Sequence, residues 1–387
     1  MTLKEKILNF VKDGTIDIPE KNVYEFKHYY PKDIFLETLA DVIVENVDFP
    51  FKKYTESELV KDFKSLKYKN VYIVNEKFET RGEYKYPISN LYIESNINGN
   101  IASNYFQQEN RYNSAHVDFG GSPLKLWKSA KRVKSLLRSL YSLNENEINS
   151  DALLHYIKIN NYVASQFKPC VAKFIYDSFN SQDVLDFSSG WGDRLCGFYA
   201  SNAKTYFGID PNTAVFKNYF KQVDFYEKFV HKDVKLVNLP AEDVDFGDRM
   251  FDTVFTSPPY FKTERYCEEE TQSYKRYSTL ESWLNDFLFA VLKKSWEHLK
   301  DNGYLILNIS DKVKYNWQMC DKMNDYIAQL PHAKYCGCIG LKMPKRPGSN
   351  MLSENKNIIF GEPIWIWQKG NKTNLNELFV SSTIEEW

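Results

Sequence analysis

"DVLDFSSGWGDR", residues 183–194, runs an apolar stretch straight into a glycine turn. Val184, Leu185 and Phe187 read as a buried strand, and Gly190 and Gly192 follow at once. Glycine has no Cβ, so it lets a chain turn tightly and lets a ligand come close to the backbone. A strand that feeds such a loop predicts the first strand of an open α/β sheet, where ligands sit outside the carboxyl ends of the strands. The loop lacks the complete G-x-G-x-x-G dinucleotide fingerprint and the Gly-Lys-Ser/Thr of a phosphate loop. The sheet is therefore the firmer inference, and the ligand has to be read from other segments.

Working outward, "TYFGID" (205–210), "VKLVNL" (234–239), "FDTVFT" (251–256) and "GYLILNIS" (303–310) are further strand candidates. Helical stretches such as "TLESWLNDFLFAVLKKSWEHLK" separate them. Strands alternating with helices predict an α/β fold with a doubly wound, mostly parallel sheet. "KYCGCIGLKM" and "EPIWIWQK" are expected to add a late hairpin, for a seven-stranded, Rossmann-like sheet in all. This domain is expected to span residues 161–370, with a polar, loosely attached tail at 371–387.

Upstream, residues 1–120 mix helical stretches with possible strands ("NVYIVN", "NLYIES") and carry no chemical motif. They are expected to form an N-terminal α+β extension, either accessory or involved in target recognition. Residues 121–160 read as a basic helical connector. In "SPLKLWKSAKRVKSLLRSLY" Ser122 is a helix cap, Pro123 the first helical residue, and Leu126, Ala130, Val133, Leu137 and Leu140 one apolar face. The other faces carry Lys125, Lys128, Lys131, Arg132, Lys134 and Arg138 without an acid among them. Such a run is either a solvated surface or a phosphate-tracking one.

Composition narrows the classes. The chain has 387 residues, is 43% hydrophobic and 26% charged, and has a formal net charge of −1. No global field then draws it to nucleic acid or membrane, so any such attraction is local. No apolar run approaches the roughly 20 residues of a membrane-spanning helix. "MTLKEKILNFVKDG" lacks a signal-peptide core, and the six cysteines form no C-x-x-C pair. A cytoplasmic protein of a bacterial or phage-infected cell is expected, without a metal. The six histidines are dispersed and G-x-S-x-G is absent, so neither a zinc site nor a nucleophile elbow gains support.

Three segments carry chemistry. Asp210 ends the second strand, where a carboxylate can accept both hydroxyls of a ribose; the same residue also suits a helix cap. Glu242 and Asp243, after the third strand, lie where an adenine amine would fall, or they are turn residues. "TSPPY" (256–260) ends the fourth strand with two prolines that cannot donate hydrogen bonds. The Pro258 carbonyl is then an acceptor in a rigid frame with Pro259, the Ser257 hydroxyl accepts or donates, and the Tyr260 ring offers a stacking face. These parts suit a planar ligand with an exocyclic amine, whose lone pair is freed when its hydrogens are held by acceptors.

Taken in order, "DFSSGWGDR", "GID" and "TSPPY" resemble the S-adenosylmethionine-dependent DNA amino-methyltransferases of the cytosine-N4 and adenine-N6 type, in non-permuted motif order. "SQFKPCVAKFIY" (165–176) is similar to that family's Phe-containing motif beside the methionine end of the cofactor. The resemblance covers about residues 160–368 and implies a class I methyltransferase fold. It implies that Phe167, Pro169, Asp186, Ser188, Gly190, Trp191, Gly192, Asp210 and Glu242 hold S-adenosyl-L-methionine. It also implies that Ser257, Pro258, Pro259 and Tyr260 bind and orient the base. The loop departs from the family's Asp-Pro-Phe-x-Gly-x-Gly, with Phe187-Ser188 in place of Pro-Phe and Trp191 between the glycines. Ser257 at the first motif position resembles the cytosine-N4 enzymes more than the adenine-N6 ones.

A base inside a duplex cannot reach such a pocket, so it must be flipped out or already unpaired. Lys128, Lys131 and Arg132 of the basic stretch, Gln272 of the segment after the motif, and Lys345 and Arg346 of "KMPKRPGSN" are the expected nucleic-acid contacts. DNA is the expected partner, with RNA possible. A protein amide presents the same planar amine, and an inert module that only docks nucleic acid is a further alternative. Loss of the acceptor motif or the glycines would mark that last case, and both are present.

Overall fold

Val184 and Leu185 do lie in a strand, and it is the middle strand of the parallel part of the sheet. The computed structural model describes residues 1–67, 71–143, 146–311, 315–343 and 358–380. They divide into two units, one of residues 1–55, 108–165 and 263–267, the other of 56–107, 166–262 and 268–387. Among the described residues no helix is long and apolar enough to cross a membrane.

The second unit holds a nine-stranded sheet. Its strands are β1 (Tyr72–Asn75), β2 (Leu91–Glu94), β3 (Asp183–Asp186), β4 (Thr205–Ile209), β5 (Asp233–Val237), β6 (Phe251–Thr256), β7 (Leu299–Asn308), β8 (Ala333–Lys342) and β9 (Gly361–Lys369). Their spatial order is β1-β2-β8-β9-β7-β6-β3-β4-β5. From β5 through β7 every pairing is parallel, and β9 runs antiparallel between β7 and β8. The expected doubly wound, Rossmann-like sheet is therefore present, late hairpin included.

From β3 the chain moves outward through β4 to β5, then returns to the other side of β3 to lay down β6 and β7. The direction of winding reverses between β3 and β6, which is where open α/β sheets form their ligand crevice. Leu185 pairs with Val254 and Leu305 with the same Val254, all fully buried in one apolar cluster with Leu288 and Trp283. Phe255 packs its ring against Phe167 and Tyr176, with centroids 5.6 and 5.7 Å away. Helix α1 (Pro169–Ser178) leads into β3, α2 (Asp193–Ala200) connects β3 with β4, and α3 (Thr213–Tyr226) connects β4 with β5.

Three expectations change here. The sheet has nine strands and not seven, because β2 pairs parallel with β8 and β1 antiparallel with β2. Residues 56–107 consequently belong with the sheet, and the boundary expected at residue 120 does not hold for them. The tail is not loose throughout. Leu375–Val380 is a helix with Leu375 and Phe379 buried, and the Phe379 ring stacks on Phe174.

The first unit is helical, around Phe35, Leu39, Ile43, Val133, Leu137, Leu153 and Ile157. The basic stretch forms three short helices, Pro123–Trp127, Ala130–Leu137 and Ser139–Ser142, where one was expected. Ser122 caps the first, accepting from the Lys125 amide at 3.3 Å. The break frees Trp127 to bury its ring and donate to the Val47 carbonyl at 3.2 Å. Residues 264–265 pair antiparallel with 115–116 inside this unit.

Candidate active site

Two loops leave neighbouring parallel strands at the reversal point, 187–192 after β3 and 257–261 after β6. Both backbones are unusual. Gly190 and Gly192 have φ of +59° and +77°, a region in which L side chains are strained. A Cβ on Gly192 would stand 2.4 Å from the Gln222 side chain, whereas one on Gly190 would meet nothing nearer than 3.8 Å. At Gly192 packing and backbone thus both disfavour a side chain, while at Gly190 a Cβ would make one ordinary contact, with the Ser188 carbonyl, and the backbone alone disfavours it. Phe261, the last residue of the second loop, also has a positive φ of 50°, a conformation that costs a non-glycine residue about 1–3 kcal/mol. Packing holds it there, with its ring 5.9 Å from Trp283 and 5.2 Å from Trp317.

Asp186, completely buried, ties the two loops together. Arg194 donates to it from Nε at 2.8 Å and Nη2 at 3.2 Å, Tyr206 from its hydroxyl at 2.7 Å, and Thr256 from Oγ1 at 2.9 Å. Burial opposes charge on Arg194, yet Asp186 holds its pKa above the ordinary value. The carboxylate expected to line the cofactor loop is therefore occupied in fixing that loop to α2, β4 and the first residue of TSPPY. Arg194 also donates to the Ser188 carbonyl and lies 5.5 Å over the Phe167 ring. Gln166 donates to Asp193 at 2.9 Å, which fixes the segment bearing Phe167 to the start of α2. Pro169 opens α1, and Trp191 is buried in the loop itself.

Asp210 receives the Gly190 amide at 2.9 Å and the Asn212 amide at 2.9 Å. Burial pushes its pKa up to about 7, against the support of those two amides. The helix-cap role that its sequence also suited is filled by Asn212, which accepts from the amides of Ala214 and Val215. Glu242 is engaged with Tyr277, whose hydroxyl donates at 2.7 Å, and with Arg276 at 3.1 Å; burial raises its pKa.

At the second loop, Ser257 donates its hydroxyl hydrogen to the Asn308 carbonyl at 2.9 Å, which leaves the oxygen's lone pairs as acceptors. The Pro258 carbonyl takes part in no backbone hydrogen bond among the described residues. Tyr260 donates to Glu362 of β9 at 2.6 Å, and burial, then Glu362, raises its pKa well above the ordinary value.

The expected nucleic-acid residues fare differently. Lys128, Lys131 and Arg132 are exposed and in no ion pair among the described residues, while Lys134 of the same stretch pairs with Glu37 at 3.0 Å. Lys345 and Arg346 lie outside the described residues. Gln272, expected to contact the nucleic acid, is only 5% exposed and its Nε2 is buried. Its neighbours Glu269 and Thr271 bond to residues after β4, and Arg276 and Tyr277 to residues after β5. Sequence reasoning missed Arg194 and Glu362. Arg194 stood in the quoted motif, and an arginine among apolar helix residues was its one signal. Glu362 gave none.

No protein-family model and no curated protein matches this chain. Solved structures similar to it include the tRNA (m1A58) methyltransferase TrmI from Aquifex aeolicus, 13% identical with a TM-score of 0.35 over 54% of this chain and 72% of that one. TrmN from Thermus thermophilus is 10% identical, with a TM-score of 0.34 over 52% of this chain and 48% of that one. A SAM-dependent O-methyltransferase from Thermotoga maritima is 12% identical, with a TM-score of 0.34 over 57% and 72%. At such identities and scores these likenesses add nothing to what the chain's own strand order and loops say.

Proposed function

We propose that this chain transfers a methyl group from S-adenosyl-L-methionine to the exocyclic amine of a nucleic-acid base, cytosine N4 in preference to adenine N6, with DNA as the partner. One observation carries the reading: a glycine loop and a TSPPY loop leave adjacent parallel strands at the reversal point, joined through Thr256 and Asp186. The side-chain-free backbone at Gly190 and the carboxylate of Asp210 beside it suit an adenosine bearing a ribose diol. Bound there, the cofactor supplies an electrophilic methyl on a sulfonium.

The protein's own contribution is positioning. The Ser257 oxygen, its hydrogen given to Asn308, and the Pro258 carbonyl accept the two hydrogens of the amine. Held so, the nitrogen loses conjugation with the ring and its lone pair turns toward the methyl donor. Tyr260, fixed at its hydroxyl by Glu362, keeps its ring in place to stack on the base. The amine's proton passes to water after transfer. The exposed Lys128, Lys131 and Arg132 supply phosphate contacts.

The test is incubation with labelled S-adenosylmethionine and mixed DNA and RNA, followed by digestion to nucleosides and mass spectrometry. N4-methylcytosine in the DNA digest is the expected product. N6-methyladenine would correct the base, and label confined to RNA or protein would correct the substrate. Absence of label together with absence of S-adenosylhomocysteine binding would overturn the reading.

A further inference from the structure

Gln272 is a buried amide whose donor has no partner. Its side chain does not cap the short helix Ser273–Arg276 that follows, and its Nε2 has no hydrogen bond among the described residues. An unpaired buried donor costs a fold about 1–3 kcal/mol, so an acceptor is to be looked for.

The contacts of its neighbours in sequence fix the segment that carries it. On one side of Gln272, Glu269 accepts from the Thr213 amide at 3.2 Å and the Thr213 hydroxyl at 3.0 Å, and Thr271 donates to the Pro211 carbonyl at 3.2 Å. These partners directly follow Asp210, the residue suited to a ribose. On the other side, Arg276 pairs with Asp243 at 2.6 Å and Tyr277 donates to Glu242 at 2.7 Å, both on the loop after β5. The segment 269–277 is thus strapped to the loops after β4 and β5, and Gln272 lies between the two sets of anchors. The two loops themselves are linked, since Asn238 donates to the Asp210 carbonyl at 2.9 Å.

We infer that Gln272 is a cofactor-specificity residue, whose side-chain amide donates to a ring nitrogen of the adenine of the bound nucleoside. This rests on the reading of the site given above. Adenine has three unprotonated ring nitrogens that accept in the plane of the ring, and a neutral amide donor pairs with one of them without bringing a charge into the pocket. The strap 269–277 thereby serves the cofactor and not the nucleic acid. The chain immediately after the base-binding motif would then be in contact with the methyl donor's far end.

Calorimetric titration with S-adenosylhomocysteine tests this without turnover. Gln272→Met keeps the shape and removes the donor; Gln272→Glu keeps the length and sets an acceptor against an acceptor. The expected result is a ligand-free melting temperature at least equal to wild type for Gln272→Met, with affinity lowered about tenfold or more. A series of 1-deaza, 3-deaza and 7-deaza analogues identifies the atom: one analogue weakens wild type and leaves Gln272→Met unaffected. Gln272→Glu is expected to bind more weakly than Gln272→Met. Normal binding by Gln272→Met, or equal losses with every analogue in both proteins, overturns the role of Gln272 alone. No binding of S-adenosylhomocysteine by wild type overturns this role together with the reading of the site.

Discussion

Asp210 titrates near pH 7 because burial disfavours its charge more than the amides of Asn212 and Gly190 support it. An acid whose pKa is raised by folding binds its proton more tightly in the native state than in the unfolded one. Its contribution to stability is therefore most favourable below the ordinary value of 3.8 and falls as pH rises toward about 7. Ligand binding has the opposite sign, since a ribose diol donates to the carboxylate and not to the acid. Affinity for S-adenosylhomocysteine is expected to rise from pH 5.5 to 8, and binding near pH 6 should release a proton. Calorimetry in buffers of different ionisation enthalpy reads that release directly, and it should vanish in Asp210→Asn. Proton release that persists in the variant would assign the titration to another group. Ser257 offers a cleaner separation of binding from chemistry. In the proposed reading its oxygen accepts from the reacting amine and touches no part of the cofactor, so Ser257→Ala should lower kcat about 10–100-fold and leave S-adenosylhomocysteine affinity unchanged. Of these two residues the sequence revealed the candidate roles but not the surroundings. Nothing in "GID" tells that Asp210 is buried, because its burial depends on strands and loops distant in the chain.

The strands were legible as elements because each is a short apolar run between turn signals: the segments read at 205–210 and 251–256 end within a residue of β4 and β6. What their order does to side chains was not legible. The pair Arg194–Asp186 is formed only when α2 folds back over β3, and Tyr206 and Thr256 reach the same carboxylate from the strands on either side. β1 and β2 read as possible strands, but the strand that joins them to the sheet, β8, lies far along the chain from β2, so their place in the sheet was hidden. The basic stretch failed differently: it keeps helical spacing throughout and has no internal breaker, yet burial of Trp127 wins over helix continuity. The Arg194–Asp186 pair also sets a prediction at this scale. Arg194→Met leaves a buried carboxylate without its counter-charge, which typically costs about 3–5 kcal/mol. Urea titration should show that loss, and because the same group anchors both loops, S-adenosylhomocysteine affinity should fall with it. A variant as stable as wild type would mean that Tyr206 and Thr256 suffice.

With a formal net charge of −1, the whole molecule has no field of its own to gather a polyanion, so attraction must come from one surface. The helical unit has such a surface: Lys125, Lys128, Lys131, Arg132 and Arg138 are exposed and in no ion pair among the described residues, whereas Lys134 is neutralised by Glu37 and Asp33. A solvated decorative face and a phosphate-tracking face look alike in the sequence and differ in one measurable way. Cations that contact phosphates release counterions, so the logarithm of the association constant falls with the logarithm of salt concentration, by about 0.9 per contact on duplex DNA and about 0.7 on a single strand. Replacing Lys128, Lys131 and Arg132 together by Gln should therefore reduce that slope by about 2–3 and weaken binding to all sequences alike. The three side chains are exposed, so melting should shift little, and S-adenosylhomocysteine affinity should not change. An unchanged slope would make this face ordinary solvated surface and move the search for the phosphate contacts to the other unit.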